Sequence, residues 1–309
     1  MLRRAGLLSS AYSRSVDSAL PAFGPSVLLT QTDLARAPAI GLLLVAAAYL
    51  YGVRRLTARG DAWPMSRTIC FVVLGLGSVA VVLLSGLAAY DETLFGAHMV
   101  QHMVLAMVSP VFLALGAPVT LALRTLPKGS RGRLLSVLHS RVARVLTFPA
   151  IPWVLFIGSP FALYFSGWYP ATLASPVLHD LLHLHFVVVG SLFFWPILGI
   201  DPVPGRVSHP FRMLLMFATM PFHAFLGIAV MSVSADGRGL LAPAHYLAVV
   251  GRADAVFQQQ VGGGLLWASG DIVGLLFILV GAAQWMRASD REAAREDRRL
   301  DRLEAAARS

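Results

Sequence analysis

Residues 94–123 read LFGAHMVQHMVLAMVSPVFLALGAPVTLAL, a block without one Asp, Glu, Lys or Arg. A bilayer core about 30 Å thick is crossed by about 20 apolar residues rising 1.5 Å each. This block is long enough to cross. Pro110 and Pro118 interrupt it, and membrane helices tolerate internal prolines where neighbouring groups re-satisfy the backbone. Six further apolar blocks lie around it, at about 38–53, 68–89, 147–166, 178–200, 211–233 and 260–286. The expected fold is therefore all-α: a polytopic integral membrane helical bundle of seven transmembrane helices. Residues 1–27 form an N-terminal extension expected to be poorly ordered, 28–286 the membrane domain, and 287–309 a charged tail, helical or frayed.

Composition supports the same reading. Of 309 residues, 57% are hydrophobic and 13% charged, against roughly 25% charged in soluble chains. Mean hydropathy is +0.69. Membrane lipid is the solvent for much of this surface, so helices that satisfy their own backbone are required. The net charge of +9 does not indicate nucleic acid, because the cations lie in short loops and the tail. A single cysteine, Cys70, excludes an internal disulfide and a CxxC site. It falls at the cytosolic end of the second block and reads as a small apolar side chain. Residues 1–26 show no sustained apolar stretch with a cleavage site, so no cleavable signal is expected there.

Orientation follows from the cations. Loops 54–67, 124–146 and 201–212 and the tail hold 19 of the 25 Lys and Arg. These segments are expected in the cytosol, with the C-terminus. The N-terminus and the loops at 90–93, 167–177 and 234–259 are expected outside.

On this topology the nine histidines are not scattered. His98 and His102 open the third helix at its outer end; His179, His183 and His185 open the fifth at the same level. His245 lies in the last outer loop and His223 half-way along the sixth helix. His98–His102 and His179–His183 are i, i+4 pairs, which share a helix face and match the spacing of two ligands in H-x-x-x-H sites. Helices three and five run the same way, so the pairs stand at matched depth. His98, His102, His179 and His183 are the leading metal ligands, with His223 a further candidate. His185 is offset from its pair's face and His245 reads as an interfacial polar residue. Met99 and Met103 continue along the third helix, and Met220 shares a side of the sixth with His223. Imidazole and thioether suit copper(I) better than hard cations, and zinc also fits imidazoles. Acids at this level are few: Asp91, Glu92 and Asp180. Neutral imidazole is the binding form, so a metal should weaken below about pH 6. Gly262-Gly263-Gly264 lacks the strand and lysine of a phosphate loop and is expected to permit close helix packing. No nucleophile motif gathers the Ser, His and Asp residues, which argues against a hydrolase.

The stretch HMVQHMVLAMVSPVFLALGAPVTLALR (98–124) resembles the signature of the caa3-type cytochrome c oxidase assembly factor family, CtaG of the Bacillus type. HDLLHLHFVVVGSLFFWPILGIDPVP (179–204), RMLLMFATMPFHAFLGIAV (212–230) and QQQVGGGLLWASGDI (258–272) agree with it. The resemblance runs from about 28 to 286. It implies a non-enzymatic plasma-membrane protein needed to assemble a haem–copper oxidase, with copper delivery to an oxidase subunit as the mechanism. His98, His102, His179, His183 and His223 match the family's histidine positions. Gln101 is placed as a hydrogen-bond partner to an imidazole. One departure is Gln258, where family members often carry Asp; Asp254 or Asp271 would have to supply any role that Asp has. Three rival functions fit parts of the pattern. A b-type haem carrier would use His102 and His183 as axial ligands. A copper transporter would need a polar path that the inner halves of helices three and five lack. A scaffold would use the histidines for partner contacts.

Overall fold

Long apolar runs have one local way to pair their backbone groups away from water, and each of the seven blocks is helical. The computed structural model describes residues 23, 24, 26, 37–202 and 207–308. The principal helices are α1 (Ala37–Thr57), α2 (Met65–Leu84), α3 (Phe95–Thr125), α4 (Ala150–Tyr164), α5 (Pro176–Leu198), α6 (His209–Met231) and α7 (Gly251–Arg308). No strand occurs among the described residues. Most of the expected extension 1–27 lies outside them. The tail is helical, because α7 runs without a break from Gly251 to Arg308.

Six of these helices are long and apolar enough to cross a membrane by length and composition. The exception is α4, a 15-residue helix that spans about 22 Å at 1.5 Å per residue. The fourth expected span, 147–166, is shortened at both ends. Pro149 precedes the helix, and Phe165, Ser166 and Gly167 follow it. Short helices Arg141–Leu146 and Trp168–Leu173 flank it.

Helices α3 and α5 pack together and are parallel. His98 faces His179, Gln101 meets His183, His102 stacks on Phe186, and Ala106 abuts Gly190. Sequence sets this register locally. Pro110 has no N–H to return to the Ala106 carbonyl four residues earlier. The helix widens into a π turn over Val104–Val108. A Cβ on Gly190 would lie 2.1 Å from that same carbonyl oxygen, so only glycine lets the two backbones meet.

The short helix α4 runs the opposite way in the groove between them. Near its start, Trp153 Nε1 donates to Thr219 Oγ1 of α6 at 3.1 Å, and Phe156 stacks on Phe193 late in α5. At its end, Tyr164 reaches His98 and His102 at the start of α3. The glycine run packs as expected. A Cβ at Gly262 would strike Phe95, and one at Gly263 would strike Met231 and the Gly227 carbonyl. These contacts hold α7 against α3 and α6.

Candidate metal centre

The four leading histidines are all buried, but they divide into two neighbouring groups. The first is His179 and His183 with Asp91, which sits in the turn after the short helix Leu87–Tyr90. His179 Nε2 donates to Asp91 Oδ2 at 3.0 Å, and His183 Nε2 lies 3.7 Å from the same oxygen. One ligand atom from each residue falls within 4.8 Å of the others. His179 Nδ1 has no hydrogen-bond partner and stands 3.9 Å from Glu92 Oε1. A cavity of about 380 Å³, lined by Asp91, Glu92, Asp180, His179 and His183, opens onto this group.

Two imidazoles and a carboxylate form a donor set for a borderline divalent ion such as copper(II) or zinc. The His179 Nε2 proton faces Asp91 and the His183 Nε2 proton faces Gln101 Oε1. A metal entering there must displace them.

The second group is His98 and His102 around Tyr164. The Tyr164 hydroxyl lies 3.0 Å from His98 Nε2 and 3.1 Å from His102 Nδ1, and 3.8 Å from Met99 Sδ. A phenol donates one proton, so one imidazole accepts it and the other donates its own N–H to the phenol oxygen. His98 Nδ1 is buried without a hydrogen-bond partner. Above this group, Phe95 makes edge contacts with Tyr164, Tyr169 and Tyr246. The Tyr169 and Tyr246 hydroxyls share a hydrogen bond of 2.5 Å. Burial pushes both of these phenols well above their ordinary range, so this roof is uncharged.

The remaining candidates separate clearly. Gln101 reaches an imidazole as expected: its Nε2 donates to the Val82 carbonyl, and its Oε1 accepts from His183 Nε2 at 3.2 Å. His223 is buried deeper, with Nδ1 on the Thr219 carbonyl. His185 is half-buried beside Phe186 and outside both groups. His245 Nε2 donates to the Glu92 carbonyl at 2.6 Å, which ties the segment between α6 and α7 to the turn carrying Asp91. Met103 lies near His223, whereas Met220 packs on Gly274. Gln258 Oε1 accepts from the Gly96 N–H at the start of α3. Asp254 is exposed, and Asp271 accepts from Trp267; neither reaches Gly96 in place of Gln258.

Sequence reasoning missed Asp91 and Tyr164. Asp91 was visible as one of three acids at the histidine level, but weighed only as a ligand for hard cations. Tyr164 carried no spacing signal, because it comes from the far end of a different helix.

The family model for cytochrome c oxidase caa3 assembly factors matches residues 47–288. The chain belongs to that family. Every residue of the two groups just described lies within the match. Among curated relatives of this chain, uncharacterized proteins Mb0105 of Mycobacterium bovis and MT0111 of Mycobacterium tuberculosis are each 39% identical over 266 residues. Those matches cover 84% of this chain and 40% of each relative. Uncharacterized protein ML1998 of Mycobacterium leprae is 36% identical over 262 residues, covering 82% of this chain and 39% of its own length. The chain thus spans about two-fifths of the length of these relatives. No solved structure matches it.

Proposed function

We propose that this caa3 assembly factor is a seven-crossing plasma-membrane protein that holds copper at Asp91, His179 and His183 and presents it to a haem–copper oxidase subunit. It is not itself an enzyme. Its N-terminus and metal cup face outward and its C-terminal helix enters the cytosol. The observation that carries the reading is the convergence of one carboxylate and two imidazoles, all buried, on a single cavity mouth. Ionisable groups inside spans are costly and tend to mark sites. The seventh crossing rests on α4: parallel α3 and α5 need a return pass between them, and α4 runs antiparallel there. Its flanking short helices make up the length it lacks. The absence of cysteine from the metal group favours a site loose enough for handover.

A b-type haem between His102 and His183 is disfavoured by space. The two rings line separate spaces, His102 a cavity of about 10 Å³ and His183 another of about 380 Å³, and no one cavity takes in both. The test is metal content and visible spectrum of the detergent-purified chain, beside His179→Ala/His183→Ala. Near one equivalent of divalent copper, lost in the variant and with no Soret band, is expected. A Soret band would replace this reading with the haem carrier. Absence of both copper and haem from the wild type would leave the scaffold.

A further inference from the structure

We propose a second, inner metal site between His102 and His223, selective for a soft monovalent cation of the copper(I) class. His102 on α3 and His223 on α6 are 3% and 6% exposed, and both line a small cavity with Met103, Met107 and Ser159. Its volume of about 10 Å³ is that of roughly one water-sized sphere, which is room for a single ion. No carboxylate lines this cavity. Two imidazoles and two thioethers make a soft donor set, which selects copper(I) over hard divalent ions.

The tautomers favour ligation. His223 Nδ1 lies 3.3 Å from the Thr219 carbonyl. A carbonyl only accepts, so the proton of the neutral ring sits on Nδ1 and the lone pair remains on Nε2. His102 Nδ1 lies 3.1 Å from the Tyr164 hydroxyl; donating its N–H to that oxygen, with the hydroxyl proton directed to His98 Nε2, leaves its lone pair on Nε2 as well. Among the described residues neither Nε2 makes a hydrogen bond. Anchoring one ring nitrogen so that the other faces a metal is the arrangement that orients histidine ligands. The rings are also held in place. A Cβ at Gly270 would lie 2.9 Å from the His223 ring, and Phe186 stacks on His102 at 3.9 Å. Tyr164 is thereby a positioning residue, holding the His102 ring from the side opposite its free nitrogen.

The choice of copper as cargo rests on the function proposed above, and the experiment separates the two. Full-length protein in detergent is titrated anaerobically with copper(I) buffered by a colorimetric chelator. The outer-site variant Asp91→Asn/His179→Ala/His183→Ala is expected to keep one equivalent of copper(I), with sulfur neighbours in its X-ray absorption spectrum. His223→Gln in that background is expected to lose it. Met103→Leu/Met107→Leu, which preserves side-chain volume, is expected to weaken it at least tenfold while elution volume and melting temperature stay at wild-type values. An outer-site variant that folds and binds no copper(I) overturns the inner site and leaves the outer one standing. So does a folded Met variant with unchanged affinity and no sulfur shell. Copper(I) retained there, together with no divalent copper on the wild type, supports the inner site and overturns the outer one.

Discussion

Two aspartates, one at each end of the bundle, are equally buried at 4% exposure and have opposite chemistry. Asp201 follows α5. Its carboxylate accepts from the Val119 and Thr120 amides at 3.1 and 2.8 Å, from Thr120 Oγ1 at 2.6 Å and from Trp195 Nε1 at 3.0 Å. The amides are free because α3 restarts there: Ala117 takes a left-handed φ of 49° and Pro118 opens the new helical segment. A carboxylate at a helix N-terminus is stabilised by those N–H groups and by the helix dipole. All four donors are neutral at any working pH, so Asp201 is locked. Asp91 instead faces imidazoles, whose ring protons are exchangeable and, in the function proposed above, leave for a metal. Burial alone therefore does not identify a site; the exchangeability of the partners does.

That contrast can be broken most severely at the locked end. Asp201→Ala strands four part-buried donors. Hydrogen bonds to charged groups are worth about 1.5–3 kcal/mol each and are not additive, so a loss of about 3 kcal/mol of stability is expected. Melting in detergent should fall, while copper bound per folded molecule stays at the wild-type value. At the exchangeable end the outcome should reverse. Asp91→Asn keeps shape and a hydrogen-bonding oxygen but removes the charge. Melting should stay close to wild type, and divalent copper affinity should fall about a hundredfold, or about 2.7 kcal/mol. Wild-type affinity should also fall as pH drops from 7.5 to 5.5, because protons compete for the imidazole nitrogens. Affinity independent of pH would place the metal elsewhere.

The two ends were unequally legible in the sequence. Helix existence was plain, because a run such as 94–123 without charge has no other stable form in lipid. The i, i+4 spacing and matched depth of His98–His102 and His179–His183 implied that up to four imidazoles would converge if α3 and α5 packed together; the helices do pack, with His98 beside His179 and His179 beside His183. What spacing could not give was the rotation of each helix. That rotation sends His98 and His102 toward Tyr164, and His179 and His183 toward Asp91. It is fixed by Gly190 against the Ala106 carbonyl, a contact between residues far apart in sequence. The length of α4 was also hidden. Hydropathy continues through Phe148 and Phe165, while the helix is ended by backbone chemistry at Pro149 and at the Ser166-Gly167 turn.

The smallest expected effect tests how the two histidine groups are joined. Gln101 is wholly buried and lies between His98 and His102 in sequence, yet it bonds to His183 rather than to either. Its amide nitrogen is held by the Val82 carbonyl of α2, which fixes its oxygen toward His183. That oxygen accepts a hydrogen bond from His183 Nε2, the nitrogen that stands 3.7 Å from Asp91. Gln101 therefore acts on the tautomer of His183 and on its aim, not on the charge of the cup. Partners of this kind are worth about 10–100-fold in metal affinity. Gln101→Leu, similar in size, should sit at the low end, about tenfold weaker for divalent copper, with the inner copper(I) equivalent unchanged. The comparison sharpens if Gln101→Glu is measured beside it. A carboxylate still accepts from His183 but cannot donate to Val82, so affinity should recover while melting falls. Equal losses in both variants would mean that Gln101 only fills space.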